Sequence, residues 1–200
     1  FEDSPHFLTL SLNEGDGTFA EPIMYPSSQP ISAISVGHLD GNDALDVVTA
    51  RAVGFDRFLN RGNGVLDRFA SNLFVTTPLK VLIADVSGDG VGDFVLDADF
   101  TVFLNSGNGQ TTFNRKLRPA QRPLMSAADF NGDGLADVLA YVQGVASPSL
   151  VFFLGTGSTS LQETVELRFR LLIKDLETAD FDGDGDPDAV AFFNDDDPLA

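Results

Sequence analysis

Residues 129–137 read Asp-Phe-Asn-Gly-Asp-Gly-Leu-Ala-Asp. Oxygen-bearing side chains stand at positions 1, 3, 5 and 9 of this stretch, and glycines at positions 4 and 6 allow a sharp turn with positive φ. A hard cation such as Ca²⁺ prefers about six to eight oxygen ligands, which alternate side chains of a curled loop can supply. The predicted ligands are the side chains of Asp129, Asn131, Asp133 and Asp137 and the backbone carbonyl of Leu135.

The residues after this loop distinguish it from an EF-hand. An EF-hand needs a glutamate at position 12 and helices on both sides of the loop. Here position 12 is Ala140, within the apolar run 138–142, which is typical of a β-strand. The sequence therefore predicts a calcium loop that joins two strands.

The loop pattern recurs along the chain, as a repeat array requires. The copy at 85–93 predicts ligands from Asp85, Ser87, Asp89, Asp93 and the Val91 carbonyl, and the copy at 180–188 from Asp180, Asp182, Asp184, Asp188 and the Asp186 carbonyl. A weaker copy at 38–46 offers His38, Asp40, Asn42 and Asp46. Because imidazole is a poor calcium ligand, we expect about three Ca²⁺ sites and leave a fourth open.

A second signature recurs with the same spacing. The loops begin at residues 38, 85, 129 and 180, and glycine-rich hairpin patterns begin at residues 13, 60, 105 and 155. Each unit then consists of strand, calcium loop, strand, short link, strand, hairpin and strand, which describes a four-stranded antiparallel blade of a β-propeller. We therefore predict an all-β chain in which residues 1–200 form a single propeller domain with four visible repeats.

The two ends of the chain are out of phase with this unit. The chain begins with the second half of a blade and ends with the first half. Either the ends pair to close a ring of four blades, or the chain is a segment of a larger propeller. The apolar residue at position 2 of each loop is predicted to tuck under its loop; these residues are Leu39, Val86, Phe130 and Phe181.

Composition excludes several classes of function. A formal net charge of −18 argues against binding to nucleic acid or to an anionic membrane surface. The sequence has no apolar run near the roughly 18 residues needed for membrane insertion. It contains no cysteine and two histidines, with no spacing typical of a nucleophile and its base, so we do not expect an enzyme.

The blade pattern resembles the FG-GAP/VCBS repeats of integrin α-subunit propellers and of many secreted bacterial and fungal proteins. The resemblance rests on residues 128–138, on the loop copies at 85 and 180, and on the glycine-rich hairpins. It implies an extracellular or cell-surface location, structural Ca²⁺ in the blade loops, and a role in adhesion or ligand binding.

These expectations combine into one predicted function with two alternatives. The chain is predicted to be a secreted, calcium-binding propeller that acts as an adhesion or protein-interaction module, with a protein or glycan ligand at the cell surface or in the extracellular matrix. One alternative is a carbohydrate-binding, lectin-like propeller. The other is a non-catalytic or structural domain of a larger secreted protein or fibre, for which self-association is open.

Overall fold

The chain is built almost entirely of β-strands. The computed structural model describes residues 5–72, 78–107, 111–116, 123–143, 148–158, 160–168 and 172–193. In these ranges the strands are accompanied by a single short 3-10 helix, Ala98–Phe100. The described residues contain no helix with the length and hydropathy that a bilayer crossing requires.

The described strands form five antiparallel sheets, each made of strands that are consecutive in the chain. The N-terminal hairpin pairs β1 (His6–Leu10) with β2 (Ile23–Ser27). Three four-stranded blades follow. Blade 1 contains β3 (Ile31–Gly37), β4 (Asp46–Arg51), β5 (Gly54–Asn60) and β6 (Leu66–Asn72), and blade 2 contains β7 (Val81–Ala84), β8 (Asp93–Leu96), β9 (Thr101–Asn105) and β10 (Thr111–Lys116). Blade 3 contains β11 (Leu124–Ala128), β12 (Asp137–Gln143), β13 (Pro148–Leu154) and β14 (Gln162–Arg168). The C-terminal hairpin pairs β15 (Ile173–Ala179) with β16 (Asp188–Phe193).

The predicted repeat unit is confirmed in its strand order. In each blade the first two strands enclose the aspartate-rich loop and the last two enclose the glycine-rich hairpin, part of which lies outside the described residues in blades 2 and 3. The N-terminal and C-terminal hairpins stand as separate sheets in the described chain. The fold is therefore all-β and propeller-like, and a closed ring of four blades is not confirmed.

Consecutive sheets pack face to face, and the second strand of each blade contributes to two contacts. All six residues of β4 are buried, since Val47 packs toward the N-terminal hairpin and Val48 packs toward blade 2. Phe55 of blade 1 meets Phe94 of blade 2 at 5.2 Å between ring centroids. This removal of both strand faces from water is the main stabilising contribution to the fold.

The position-2 residues of the loops take part in these contacts. Leu39 and Val86 are fully buried in the cores that join their blades to the next, and Phe130 packs against the core that joins blade 3 to the C-terminal hairpin. Phe181 is 63% exposed, so the prediction that it tucks under its loop is wrong. The described chain has no sheet beyond the C-terminal hairpin on which Phe181 could pack.

Hydrogen bonds also join neighbouring blades near the loops. The N–H of Gly92, at position 8 of the blade 2 loop, donates to the His38 carbonyl at position 1 of the blade 1 loop, at 2.7 Å. The N–H of Ala136 makes the equivalent bond to the Asp85 carbonyl at 2.9 Å. These bonds align the loops along one edge of the row of sheets.

Candidate metal centre

The predicted loops share one backbone shape. In the 129–137 loop, Gly132 and Gly134 adopt φ values of 72° and 85°, in the left-handed region that glycine enters without steric cost. The glycine pairs of the 85–93 and 180–188 loops repeat this conformation. The 38–46 loop has one such glycine, Gly41, because Asp43 occupies the second position.

In the three loops that begin with aspartate, the carboxylate at position 1 holds the loop in shape. Asp129 accepts the Gly132 N–H through Oδ1 and the Gly134 N–H through Oδ2, both at 2.8 Å. Asp85 and Asp180 accept the corresponding glycine N–H groups at 2.7 to 3.0 Å. The loops are therefore curled by their own hydrogen bonds, with oxygen-bearing side chains already drawn together.

The position-9 carboxylates connect the loop to the hairpin of the same blade. Asp137 is fully buried, and it accepts the Phe130 N–H at 2.9 Å through Oδ2 and the Gly155 N–H at 2.8 Å through Oδ1. Asp46 and Asp93 are placed in the same way. We call Asp46, Asp93 and Asp137 the clasp carboxylates.

Burial of the clasp carboxylates disfavours their charged form. Removal from water raises the pKa of Asp93 to about 6, partly opposed by the backbone hydrogen bond from Asn105. Burial likewise raises the pKa of Asp46 and of Asp137. Each of these carboxylates, predicted as a metal ligand, has both oxygens engaged by backbone N–H groups.

The 180–188 loop gathers carboxylates most closely. Asp180, Asp182 and Asp188 each offer an oxygen within 4.8 Å of the others, and all three residues are exposed. Within the part of the chain that the structure describes, the other predicted loops do not bring three carboxylates this close. Three carboxylates at such separations match the hard oxygen donors that Ca²⁺ prefers, so this loop fits the predicted metal.

The remaining predicted ligands are held by bonds within their loops. Asp89, Asp133 and Asp184, at position 5, each accept the N–H of position 7 at 2.9 to 3.0 Å. At position 3, the Asn131 amide donates to Asp133 Oδ2 at 3.0 Å, and the Ser87 hydroxyl donates to Asp85 Oδ1 at 3.4 Å. The position-7 residues are Val91, Leu135 and Asp186, and the full ligand sets of these loops stay predictions.

The weak loop differs in the contact made at position 1. The His38 Nδ1 atom lies 3.3 Å from the carbonyl oxygen of Ala44, which is the position-7 carbonyl of this loop. Asp40 Oδ1 accepts the Asn42 N–H at 3.2 Å, and Asp46 serves as a clasp. The imidazole thus contacts the carbonyl that the calcium pattern assigns to the cation.

Sequence reasoning missed the first residue of each hairpin. Asn105 is buried, its N–H donates to Asp93 Oδ1 at 2.8 Å, and its side-chain amide donates to the carbonyls of Leu39 and Gly92. Asn60 donates its N–H to Asp46 Oδ1 in the same way. The signal was in the sequence, since asparagine begins the hairpin pattern at residues 13, 60 and 105.

A wide polar cavity adjoins the weak loop. It has a volume of about 740 Å³ and lies between the 38–46 loop and the hairpin of blade 1. Its lining consists of Asp40, Asn42, Asp43, Ala44, Leu59, Asn60, Arg61, Gly62 and Gly64. No motif in the sequence predicted this cavity.

Comparison with known proteins identifies the repeat type and supports the fold. Residues 129–191 match the FG-GAP-like repeat family, which supports a repeat of the FG-GAP/VCBS type in this chain. No curated protein sequence matches the chain significantly. A lectin from Agrocybe aegerita, solved to explain specific recognition of non-reducing terminal N-acetylglucosamine, is similar in structure with a TM-score of 0.57 and 22% identity. The match covers 81% of this chain and 46% of the lectin, so the chain spans less than half the length of that protein.

Proposed function

We propose that the chain is an extracellular interaction module of the propeller type, whose blade loops bind structural Ca²⁺. The observation that carries the calcium proposal is the group of Asp180, Asp182 and Asp188, whose oxygens lie within 4.8 Å of one another. FG-GAP repeats are typically extracellular, which supports the location and the adhesion-type role. The proposal includes no catalysis.

Electrostatics favours a cation at this group. Two like charges about 4 Å apart repel each other by about 1 kcal/mol even in water, and three carboxylates repel in three pairs. The chain as a whole carries a formal net charge of −18, which adds to the repulsion. A divalent cation removes this cost and replaces it with attraction, at the free Ca²⁺ concentration found outside cells.

A thermal melt tests the calcium proposal. We expect Ca²⁺ at about 1 mM to raise the Tm relative to EDTA, because a ligand bound with a Kd of about 10⁻⁴ to 10⁻³ M contributes about 0.4 to 1.4 kcal/mol per site. For a domain of this size, each kcal/mol corresponds to roughly 2 to 4 °C. Mg²⁺ at the same concentration should give a smaller shift, since its preference for six ligands in a small rigid shell does not suit this loop.

Two variants assign the binding to the 180–188 loop. Asp182→Asn keeps the size of the side chain and removes one charge, so calorimetric titration should lose one Ca²⁺ site. Asp175→Asn, a matched change of an exposed aspartate on β15 outside the loop, should leave the stoichiometry unchanged. Equal melting in Ca²⁺ and EDTA, together with no calorimetric signal, would refute calcium binding.

A glycan is the second candidate ligand. The cavity beside the weak loop is lined by Asp, Asn and Arg side chains, which are suited to hydrogen bonding with sugar hydroxyls, and a structurally similar protein is a lectin. We expect glycans that end in N-acetylglucosamine to bind, and Arg61→Ala to weaken binding by about tenfold through loss of a charge-assisted hydrogen bond.

The control for the glycan prediction is Lys174→Ala, which removes an exposed cation on the C-terminal hairpin. This variant should bind as the wild type does. A glycan array without hits in saturating Ca²⁺ would remove the glycan candidate and leave a protein ligand.

A further inference from the structure

The residue at position 7 of the aspartate-rich loop lies beside the glycine-rich hairpin of the same blade. In blade 2 this residue is Val91, and a Cβ atom added to Gly107 of the hairpin would lie 3.1 Å from Val91 Cγ2. In blade 3 it is Leu135, and a Cβ atom added to Gly157 would lie 3.7 Å from Leu135 Cδ1. An aliphatic side chain therefore fills the space between loop and hairpin in both blades.

Blade 1 leaves the same space open. Its position-7 residue is Ala44, and its hairpin carries Gly62 where blades 2 and 3 carry Gly107 and Gly157, as the third residue of the hairpin pattern. Apart from its chain neighbours, no atom of the described residues would lie within 4 Å of a Cβ atom added to Gly62. The cavity of about 740 Å³ lies here, with Ala44 and Gly62 among its lining residues.

We propose that Ala44 opens this cavity as a ligand-binding site, and that Val91 and Leu135 close the equivalent space in blades 2 and 3. The inference rests on the proposed glycan function and deepens it, because it names the residue that decides which blade binds. One of the three complete blades then carries the site, although all three share one strand order.

The other departures of the 38–46 loop from the calcium pattern lie at the same cavity. Position 5 is Asn42 here and an aspartate in the other three loops, and position 6 is Asp43 in place of a glycine. Both residues line the cavity, as Ala44 does. The position-6 glycines of the other loops adopt left-handed φ, whereas Asp43 does not. Three consecutive changes thus turn a cation-binding pattern into one wall of a cavity.

Hydrogen bonds between the loop and the hairpin hold this wall in place. The Asn42 side-chain amide donates to the Asn60 carbonyl at 3.2 Å, and Asn42 Oδ1 accepts the Ala44 N–H at 2.7 Å. The Asn60 side-chain amide donates to the Leu45 carbonyl at 3.3 Å. An ionised aspartate at position 5 could not make the first of these bonds, since a carboxylate only accepts. The cavity is therefore preorganised, which lowers the entropy cost of binding.

The polar groups of the cavity are suited to a ligand with several hydroxyl groups. Within the described ranges, no hydrogen bond reaches the Asp43 carboxylate, and the one that Asp40 accepts goes to Oδ1. Arg61 of the hairpin supplies N–H donors to the same cavity. A sugar hydroxyl both donates and accepts, so it can bond to carboxylates and to a guanidinium at once.

Apolar side chains complete the site. Leu59 is buried at the base of the hairpin and lines the cavity. Leu12 of the N-terminal segment reaches the rim, since a Cβ atom added to the lining residue Gly64 would lie 2.8 Å from Leu12 Cδ1. Leu12 is 41% exposed, so it can pack against the C–H face of a sugar ring. A few polar groups beside aliphatic surface are typical of small-ligand sites.

Glycan binding by two variants of Ala44 tests the inference. Ala44→Val and Ala44→Leu copy the position-7 residues of blades 2 and 3. We expect Ala44→Leu to weaken the binding of N-acetylglucosamine-terminated glycans by at least about tenfold, and Ala44→Val to weaken it less, because the added side chain occupies the space of the sugar. Ala189→Leu, the same change at an exposed position of the C-terminal hairpin, should bind as the wild type does.

The melting temperature separates a filled cavity from a misfolded blade. Because the equivalent space of blade 3 holds a leucine, Ala44→Leu should melt within about 3 °C of the wild type. The reverse change in blade 3, Leu135→Ala, should lower the Tm further, since it removes an aliphatic contact. A fall in Tm for Ala44→Leu as large as that for Leu135→Ala would mean that blade 1 has no room for the side chain, and would overturn the inference.

Thiol labelling locates the ligand. The chain has no cysteine, so Ala44→Cys introduces a single thiol that is small enough to leave the cavity open. Saturating N-acetylglucosamine-terminated glycan should slow its reaction with a thiol reagent several-fold and leave the rate of Ala189→Cys unchanged. Equal rates for Ala44→Cys with and without glycan, in a sample that binds the glycan, would place the ligand elsewhere and overturn the inference.

The binding results distinguish this inference from the proposed function. If the wild type binds no glycan, the glycan function is refuted and the site falls with it. If the wild type and Ala44→Leu bind with equal affinity, the glycan function stands and only the role of Ala44 is overturned.

Discussion

The Asp93→Ala variant is expected to lose about 3 to 5 kcal/mol of unfolding free energy in EDTA. The Asp93 carboxylate is fully buried and accepts three N–H groups, from Val86 and Ser87 at 3.1 Å and from Asn105 at 2.8 Å. Alanine leaves these donors without an acceptor in a site that excludes water. Part of the loss is offset, because burial raises the pKa of Asp93 to about 6 and ionising it at neutral pH is itself costly.

Asp188→Ala is the matched control, since it removes the position-9 carboxylate from the loop of the C-terminal hairpin. Asp188 is exposed and, among the residues that the structure describes, accepts one backbone N–H, from Phe181. In EDTA we expect a loss below about 1 kcal/mol in chemical denaturation. In Ca²⁺ we expect the loss for Asp188→Ala to grow by about 0.4 to 1.4 kcal/mol, because the variant should also abolish the stabilisation that Ca²⁺ contributes at its loop. Equal losses for both variants in EDTA would contradict the clasp role of Asp93.

The strand order of the blades could be predicted from the sequence because two local signals recur with one period. The glycines at positions 4 and 6 of the loops and the glycines of the hairpin patterns adopt left-handed φ wherever the structure describes them, except Gly155 at the start of the blade 3 hairpin pattern. Such turns are encoded within a few residues. The strands between these turns, such as residues 138–142, are buried on both faces. A strand buried on both faces has a continuous apolar sequence, which allowed these strands to be predicted.

The sequence could not predict which carboxylates of a loop bind backbone N–H groups and which stay available to a cation. Both partners attract the same carboxylate oxygens. The partner that engages Asp93 is Asn105, and the partner that engages Asp137 is Gly155, each brought near by the fold of the whole blade. Phe181 illustrates the same limit. Its position in the loop equals that of the buried Leu39, and its exposure depends on whether another sheet follows.

The Gly92→Ala variant is expected to lower the unfolding free energy by about 2 to 4 kcal/mol, because the added methyl group has no room between blades 1 and 2. A Cβ atom there would lie 2.3 Å from Ile83 Cγ2 and 2.8 Å from the His38 carbonyl oxygen. Ile83 is β-branched and turns with difficulty in a strand. The His38 carbonyl also accepts the Gly92 N–H at 2.7 Å, so moving it lengthens the bond that joins the two loops.

The contact between blades 2 and 3 indicates how this clash can be relieved. There the residue matching Gly92 is Ala136, whose N–H still reaches the Asp85 carbonyl at 2.9 Å, and the residue matching Ile83 is Ala127 by its pairing with Val138. One junction thus combines a large side chain with glycine, and the other combines two alanines. Ile83→Ala alone should cost about 1 to 3 kcal/mol, since it removes part of a core contact.

The double variant Gly92→Ala/Ile83→Ala reproduces the pair of residues found between blades 2 and 3. Its loss of unfolding free energy should therefore be smaller than the sum of the two single losses by at least about 1 kcal/mol. Chemical denaturation of the wild type, both single variants and the double variant gives this coupling directly. Strict additivity would mean that the His38 carbonyl, and not Ile83, sets the space available at Gly92.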